Sequence, residues 1–354
     1  MGKYLKLLAV FHFNVVIAQL GAFEWSFNSN VNVQSDSKAA PFERWITTQG
    51  RFWDEQYWRD GDFNGDGVDD LARIFRDGRY TGINVYHSDK KAFTLENWAS
   101  QQGRFWDEQY WLAGDFDGDG VDDLAKVYRD ERYVSIDIYR SKGKQFVVEI
   151  WASKQGRFWS DQYWRAGDFD GDGADDIARV FRDERMVSID IYHSDKKGFV
   201  LENRVVKEGR FWDEQDWRVG DFNGDGVDDL ARIFRDERYV SIDIYGSDNQ
   251  GFTFKTWISK QGRFGDEQRW RADDFNGDGT DDIARVFRDG RDVSIDLYRS
   301  EKDNFVFENW ISQQGRFWDN QDWRAGDFNG DGTSDLARAF QDGRYVSIDV
   351  YPGE

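Results

Sequence analysis

Short runs in which apolar and polar residues alternate recur along the chain with a period of 53 residues. The clearest run reads VSIDIY, in which Val134, Ile136 and Ile138 alternate with Ser135, Asp137 and Tyr139. A period of two is typical of a β-strand. The unit around this run contains four extended segments, at residues 110–116, 124–129, 133–140 and 146–152. Four short antiparallel strands per repeat predict a blade of a β-propeller, and no helical period competes with an all-β fold.

The two ends of the chain are out of phase with this repeat. Residues 30–34 and 42–47 resemble the third and fourth strands of a unit, whereas the last unit stops at Tyr351, after its third strand. We therefore expect six blades, closed by pairing the N-terminal fourth strand with the C-terminal third strand. Without this pairing the last blade would expose an unpaired strand edge that favours aggregation. The segment from Val31 to Gln34 is left over. It could pack as an extra strand or pair with another molecule.

A nine-residue acidic loop recurs with the same period between the first and second segments of each unit. The second copy reads DFDGDGVDD from Asp115, which places side-chain oxygens at positions one, three, five and nine, and a carbonyl at seven. Glycines at positions four and six allow tight curvature. Oxygen-only ligands without nearby histidine or cysteine favour calcium over zinc or copper, and magnesium prefers a shell with several retained waters. We expect about six calcium ions, one per loop.

The predicted ligands occupy the same five positions in every loop. They are Asp62, Asn64, Asp66, Val68 and Asp70; Asp115, Asp117, Asp119, Val121 and Asp123; Asp168, Asp170, Asp172, Ala174 and Asp176; Asp221, Asn223, Asp225, Val227 and Asp229; Asp274, Asn276, Asp278, Thr280 and Asp282; and Asp327, Asn329, Asp331, Thr333 and Asp335. An EF-hand would carry glutamate at position twelve, followed by a helix. Position twelve here is Arg73 or an equivalent arginine or lysine, and a strand follows, so these loops are not EF-hands.

Composition adds two constraints. The formal net charge is −21 and the pI is near 4.6, which argues against a nucleic-acid partner because such a surface needs clustered basic residues. Twenty carboxylates lie at the predicted ligand positions, and six bound divalent cations would bring the net charge to −9. Much of the acidic excess would then belong to the loops.

The first 21 residues differ from the repeat. Two lysines precede an apolar run from Leu7 to Ala18, and the small pair Gly21 and Ala22 follows. This pattern is typical of a secretory signal peptide, with a buried N-terminal strand as the alternative. We predict a secreted protein whose mature part, residues 22–354, is one repeat domain without a membrane span. The chain has no cysteine, so calcium could supply the stabilisation that disulfides give other exported proteins.

The acidic loop with the strand after it, DFNGDGVDDLA and its variants, resembles the FG-GAP or VCBS repeat. Calcium loops of that family occur in the propeller heads of integrin alpha chains and in secreted microbial and fungal proteins, including a mushroom lectin. The resemblance covers about residues 22–354 and implies a calcium-bearing propeller with its loops on one face. Integrin heads and the mushroom lectin usually have seven blades, whereas six loops are present here, so their ligand sites do not transfer directly.

The tryptophans fall at three repeat positions, with Trp25 outside them. The rows are Trp58, Trp111, Trp164, Trp217, Trp270 and Trp323; Trp53, Trp106, Trp159, Trp212 and Trp318; and Trp45, Trp98, Trp151, Trp257 and Trp310. Gly265 interrupts the second row and Arg204 the third. Either the rings fill the wedges between blades, or the segment QGRFWDEQYW between blades presents some of them as platforms for sugars in repeated clefts.

From these features we predict a multivalent, lectin-like or adhesive module for glycans or extracellular protein ligands. No catalytic site is predicted: His87 and His193 stand where other units carry Arg140, Gly246 and Arg299, which indicates surface positions rather than a base. Neither a cysteine nucleophile, a GxSxG elbow nor a unique carboxylate pair is present. The alternative is a structural subunit of an extracellular sheath or filament, self-associated through the spare N-terminal strand.

Overall fold

The computed structural model describes residues 42–202, 208–248 and 251–353, which form only strands, turns and loops. The predicted all-β class is confirmed. None of these residues is helical, so they contain no helix that could cross a membrane. The blades belong to one compact unit, residues 39–354. The predicted signal segment and the leftover segment from Val31 to Gln34 lie outside the described residues.

The strands form six antiparallel sheets, the blades of a propeller. Blade 1 contains β2 (Gln56–Gly61), β3 (Asp70–Asp77), β4 (Tyr80–Ser88) and β5 (Phe93–Arg104), and blade 2 contains β6 (Gln109–Gly114), β7 (Asp123–Asp130), β8 (Tyr133–Ser141) and β9 (Phe146–Arg157). Blade 3 contains β10 (Gln162–Gly167), β11 (Asp176–Asp183), β12 (Met186–Ser194), β13 (Phe199–Glu202) and β14 (Glu208–Arg210). Blade 4 contains β15 (Gln215–Gly220), β16 (Asp229–Asp236), β17 (Tyr239–Asp248) and β18 (Gly251–Arg263). Blade 5 contains β19 (Gln268–Asp273), β20 (Asp282–Asp289), β21 (Asp292–Ser300) and β22 (Phe305–Ile311).

Blade 6 closes the ring with strands from both ends of the chain. It contains β23 (Gln321–Gly326), β24 (Asp335–Asp342), β25 (Tyr345–Tyr351) and the N-terminal strand β1 (Glu43–Arg51), which pairs with β25 as the outermost strand. Ile46 lies opposite Ile348 in this pairing. The predicted closure is therefore confirmed, and it leaves no open seam between the first and last blades.

The outermost strand of a blade is longer than predicted. The sequence pattern ends this strand at residue 152 in blade 2, whereas β9 continues to Arg157 through a bulge, with Gln155 opposite Val134 and Arg157 opposite Tyr133. The Gln-Gly-Arg triplet therefore belongs to the blade, and the link to the next blade shortens to four residues, 158–161. This link begins with Phe158 and Trp159, and the equivalent pair Phe105 and Trp106 of the preceding link lines a cleft.

Both faces of each blade are buried, because a neighbouring blade packs on each side. Six apolar clusters fill the interfaces between blades. In β8 the polar residues Ser135 and Asp137 are buried along with the apolar residues that alternate with them. The alternating pattern predicts the strand correctly, but its polar positions do not face solvent.

Buried ion pairs occupy these polar positions. The cation comes from the second strand of a blade and the carboxylate from the third, in the pairs Lys126–Asp137, Arg179–Asp190, Arg232–Asp243, Arg285–Asp296 and Arg338–Asp349. Blade 1 differs because Asn84 lies opposite Arg73. Arg73 is buried, donates from Nη1 to the carbonyl of Arg51 at 2.8 Å, and makes no ion pair among the described residues. Arg73, at position twelve of the first loop, is therefore a cation of the core.

A belt of hydrogen bonds joins the blades around the central channel. In five loops the carboxylate at position eight accepts the backbone N–H of position one in the preceding loop, as Asp122 does from Asp62 at 2.7 Å. Glycine ends the facing strand because a Cβ on Gly61 would lie 2.5 Å from Asp122 Oδ2. The last loop has Ser334 at position eight, and in the facing strand Asp273 replaces the glycine and accepts the N–H of Asp274 at 3.0 Å.

This exchange predicts a coupled pair of substitutions. Ser334→Asp alone crowds a second carboxylate against half-buried Asp273 and should lower the free energy of unfolding by about 1–3 kcal/mol. Asp273→Gly combined with Ser334→Asp rebuilds the arrangement of the other blades and should return most of that loss. Urea denaturation of the two single variants and the double variant measures the coupling. Additive effects would show that the two positions do not compensate each other.

Candidate functional site

The acidic loops all lie on one face of the ring. The first strand of each blade leads into its loop, so the loops and the turns between third and fourth strands share one face, called here the loop face. The turns between second and third strands and the links between blades lie on the opposite face, the link face. The two sets of candidate residues, loop oxygens and link tryptophans, are therefore separated by the height of a blade.

Each loop is organised by the aspartate at position one. In the first loop Asp62 accepts the N–H groups of Gly65 at 2.8 Å, Asp66 at 3.1 Å and Gly67 at 2.8 Å. The two glycines have φ values of 75° and 80°, a backbone region that glycine adopts without strain. The predicted tight curvature is confirmed.

The structure brings several predicted ligands together. Carboxylate oxygens of Asp115, Asp117 and Asp119 in the second loop lie within 4.8 Å of one another, as do those of the equivalent residues 168, 170 and 172 in the third. In four loops position three is asparagine, and in the first of these Asn64 directs Nδ2 at Asp70 at 3.1 Å. Rotating the side-chain amide of Asn64 by half a turn would direct its oxygen, rather than Nδ2, into the loop.

Position nine is buried in every loop and closes the site from below. One oxygen of Asp123 accepts the N–H of Ser141 at 2.7 Å, while its Oδ2 is buried without a hydrogen-bond partner. Burial raises the pKa of Asp123, Asp229 and Asp282 to about 8. A buried carboxylate oxygen without a partner beside a ring of further oxygens fits a hard cation such as calcium, which would supply the missing positive charge.

Basic side chains enter the first three loops from the third strand of the same blade. His87 Nδ1 lies 2.9 Å from Asp70, Arg140 pairs with Asp117, and His193 Nδ1 lies 3.0 Å from Asp176. Both histidine side chains are only 16% exposed, so their interpretation as surface positions is wrong. The premise that no histidine lies near the loops is also wrong for loops 1 and 3.

Two of the three tryptophan rows fill the wedges between blades. The row of Trp58 is at most 2% exposed throughout. Trp58 itself belongs to a cluster that spans blades 1 and 6. Trp98, Trp151 and Trp310 of the third row are also buried. The interpretation of these rings as packing residues is confirmed, so they are not available as sugar platforms.

The remaining row lies in the links and is partly exposed. Arg51 lies over the Trp53 ring at 4.5 Å, and this ring is parallel to Phe75 at 5.8 Å. The same stack recurs at Trp106, Trp212 and Trp318, and Trp159 is 42% exposed. Only this row remains a candidate platform, and an arginine covers one side of each stacked ring.

Charged side chains flank each of these rings on the link face. In the cleft between blades 1 and 2, Arg76 lies over the Phe105 ring at 4.7 Å and pairs with Asp107 at 2.8 Å and with Glu55 at 2.5 Å. This cleft has a volume of about 510 Å³ and includes Trp106. A cleft of about 400 Å³ lies beside Trp53 between blades 6 and 1. The first cleft combines an aromatic ring with arginine and carboxylate groups, and the second combines aromatic rings with carboxylate and amide groups. These polar groups can hydrogen-bond a polyol.

Comparison with known proteins defines the fold and no more. No family model matches the chain, and no curated protein matches it. A chain in the structure of the Photorhabdus luminescens Tc holotoxin pore is similar, with a TM-score of 0.57 and 14% identity over 88% of this chain. This protein spans only 14% of that toxin chain.

Two further solved structures are less similar. One is a variant of AofleA from Arthrobotrys oligospora, with a TM-score of 0.46, 12% identity and 70% coverage of each chain. The other is an α-L-arabinofuranosidase of Fusarium graminearum, with a TM-score of 0.46, 10% identity and coverage of 84% of this chain and 92% of that one.

Proposed function

We propose that this protein is an extracellular, calcium-stabilised β-propeller that binds carbohydrate through the clefts on its link face. The observation that carries the proposal is the partly exposed tryptophan, flanked by arginine and carboxylates, that recurs in five of the six links. Aromatic rings contribute apolar contact area and the charged groups contribute directed hydrogen bonds, a combination suited to sugars.

Repetition favours a multivalent ligand. Near-identical clefts around a rigid ring can engage several residues of a branched or surface-attached glycan at once, so weak single contacts add up through effective concentration. One asymmetric ligand would need only one divergent cleft. Extracellular protein ligands carrying such glycans are included in the proposal, and catalysis is not.

Calcium has a structural role in this proposal. The loops lie on the face opposite the clefts, and positions one, three, five and nine of each loop would hold the ion together with the carbonyl of position seven. The resemblance to FG-GAP or VCBS repeats supports calcium as the ion. Loops 1 to 3 must first release His87, Arg140 or His193, so we expect the other three loops to bind calcium more tightly.

The filament alternative depends on a strand that closure does not use. β1 already pairs within the chain. Exchange between molecules would therefore need the segment from Val31 to Gln34. Electron microscopy at high protein concentration distinguishes the two proposals, because strings of beads would favour the filament and discrete rings the binding module.

A glycan array in calcium tests the proposed function. We expect the wild-type chain to bind a defined set of glycans, and Trp106→Ala to weaken the contact at its cleft by about 2 kcal/mol, roughly 30-fold in single-site affinity. Replacing all five link tryptophans should remove the signal. Lys144→Ala, on the opposite face, is the matched control and should bind like the wild type. A blank array with folded, calcium-loaded protein would exclude carbohydrate.

A further inference from the structure

Five arginines from the innermost strands surround the central channel. Arg59, Arg165, Arg218, Arg271 and Arg324 occupy one repeat position, which Leu112 occupies in blade 2. Together they line a cavity of about 340 Å³ in the channel. This cavity lies apart from the acidic loops and has none of the link tryptophans in its lining.

The arginines are held in place by backbone carbonyls of neighbouring strands. Arg165 donates from Nε to the carbonyl of Trp217 in the next blade at 2.7 Å and from Nη1 to that of Trp164 at 2.7 Å. The same pair of contacts recurs for the other four arginines. The guanidinium groups are therefore preorganised rather than free to turn into bulk water.

Carboxylates balance only part of this charge. Asp216 contacts Arg165 at 3.1 Å and Arg218 at 2.7 Å, and Asp322 contacts Arg271 at 3.3 Å and Arg324 at 3.0 Å.

The third carboxylate is Asp60, which lies 3.5 Å from Arg324. Arg59 makes no ion pair within the described ranges, and burial followed by the nearby Arg324 lowers its pKa to about 9. Five guanidinium groups therefore face three carboxylates at this level of the channel.

The belt carboxylates do not contact these arginines. They line an adjoining cavity of about 320 Å³, beyond a layer of mostly small side chains that includes Ala113 and Ala166. Asp122 and its equivalents in four other loops already accept a backbone N–H. An excess of two positive charges thus remains at the arginine level, and arginine does not lose its proton under ordinary conditions.

We propose that the arginine ring is a binding site for a tetrahedral oxyanion with two negative charges, sulfate or hydrogen phosphate. The two excess charges match a dianion, the five arginines line one cavity, and that cavity is large enough for the ion with part of its water shell. Guanidinium groups bind such oxygens through paired, charge-assisted hydrogen bonds.

Isothermal titration with sodium sulfate against sodium chloride at constant ionic strength tests this site. We expect one saturable sulfate site per chain. Arg59→Gln removes the arginine without a carboxylate partner and should weaken sulfate binding about tenfold or more. Arg129→Gln removes an exposed arginine paired with Glu108 on the link face, far from the channel, and should leave the affinity for sulfate unchanged.

Leu112→Arg completes the ring and keeps the test decisive if the glutamine variant folds poorly. It should bind sulfate more tightly than the wild type. Absence of saturable sulfate binding to the folded wild-type chain, or equal affinities for wild type, Arg59→Gln and Leu112→Arg, would overturn the proposal. Either result would leave glycan binding untouched, because the array experiment uses residues on the link face.

Discussion

Removing calcium is expected to destabilise this protein more than any single substitution. At free calcium about one hundred times the dissociation constant, one site contributes roughly 2.7 kcal/mol and six independent sites on the order of 16 kcal/mol. A typical domain has a total stability of about 5–15 kcal/mol. Loops 1 to 3 would contribute less because His87, Arg140 or His193 must be displaced. We therefore expect the chelated chain to melt far below the calcium-loaded chain, or to be unfolded. Differential scanning calorimetry with and without chelator measures the shift.

A loop variant separates metal binding from loop structure. Asp225 is exposed, and its Oδ1 accepts the N–H of Val227 at 3.0 Å. Asp225→Asn keeps that acceptor but removes a charged ligand, so it should match the wild type in chelator and melt at a lower temperature in calcium. An equal loss in both conditions would indicate a structural role without metal. A wild-type melting temperature that chelator leaves unchanged would contradict calcium binding altogether.

Breaking one buried ion pair is expected to have the second-largest effect. Asp243 contacts Arg232 in the core of blade 4, both side chains are at most 3% exposed, and Asp243 Oδ1 accepts the hydroxyl of Thr256 at 2.6 Å. Asp243→Asn leaves a buried guanidinium without a carboxylate and should lower the free energy of unfolding by about 3–5 kcal/mol. Guanidinium chloride denaturation in saturating calcium measures this loss.

The chain contains its own reciprocal control. Blade 1 already has the arrangement that Asp243→Asn would create, with Asn84 opposite buried Arg73. Asn84→Asp should therefore stabilise the protein by about 1–3 kcal/mol. The substitution keeps the side-chain oxygen Oδ1 that accepts a hydrogen bond from Asn97 Nδ2 at 2.9 Å. A loss below about 1 kcal/mol for Asp243→Asn, together with no gain for Asn84→Asp, would show that these pairs contribute little.

Periodicity made the fold predictable from the sequence. Six equal units with a strand pattern determine a ring of blades, and the phase difference between the two ends predicts that β1 closes blade 6. The acidic loops were also predictable, because glycine and oxygen-bearing residues at fixed spacing have few other uses. Their position on one face follows from the strand order.

Contacts between units were not predictable in the same way. Polar residues such as Asp137 look exposed in an alternating strand, and only the packing of blades on both faces shows that they are buried. His87 and His193 look like variable surface positions because a single repeat does not show that the third strand ends beside the loop. A weak signal existed for the ion pairs: a basic residue at position twelve and the aspartate of VSIDIY occur together in five of six units.

The number of glycan sites on the ring provides the final test. Calcium-loaded protein is titrated calorimetrically with a short oligosaccharide selected from the array, too small to bridge two clefts. We predict about five sites per chain, because five links contain the partly exposed tryptophan and Gly265 stands in the other. Trp159→Ala should reduce the number by one. A single site, or a number that Trp159→Ala leaves unchanged, would contradict binding in the clefts between blades.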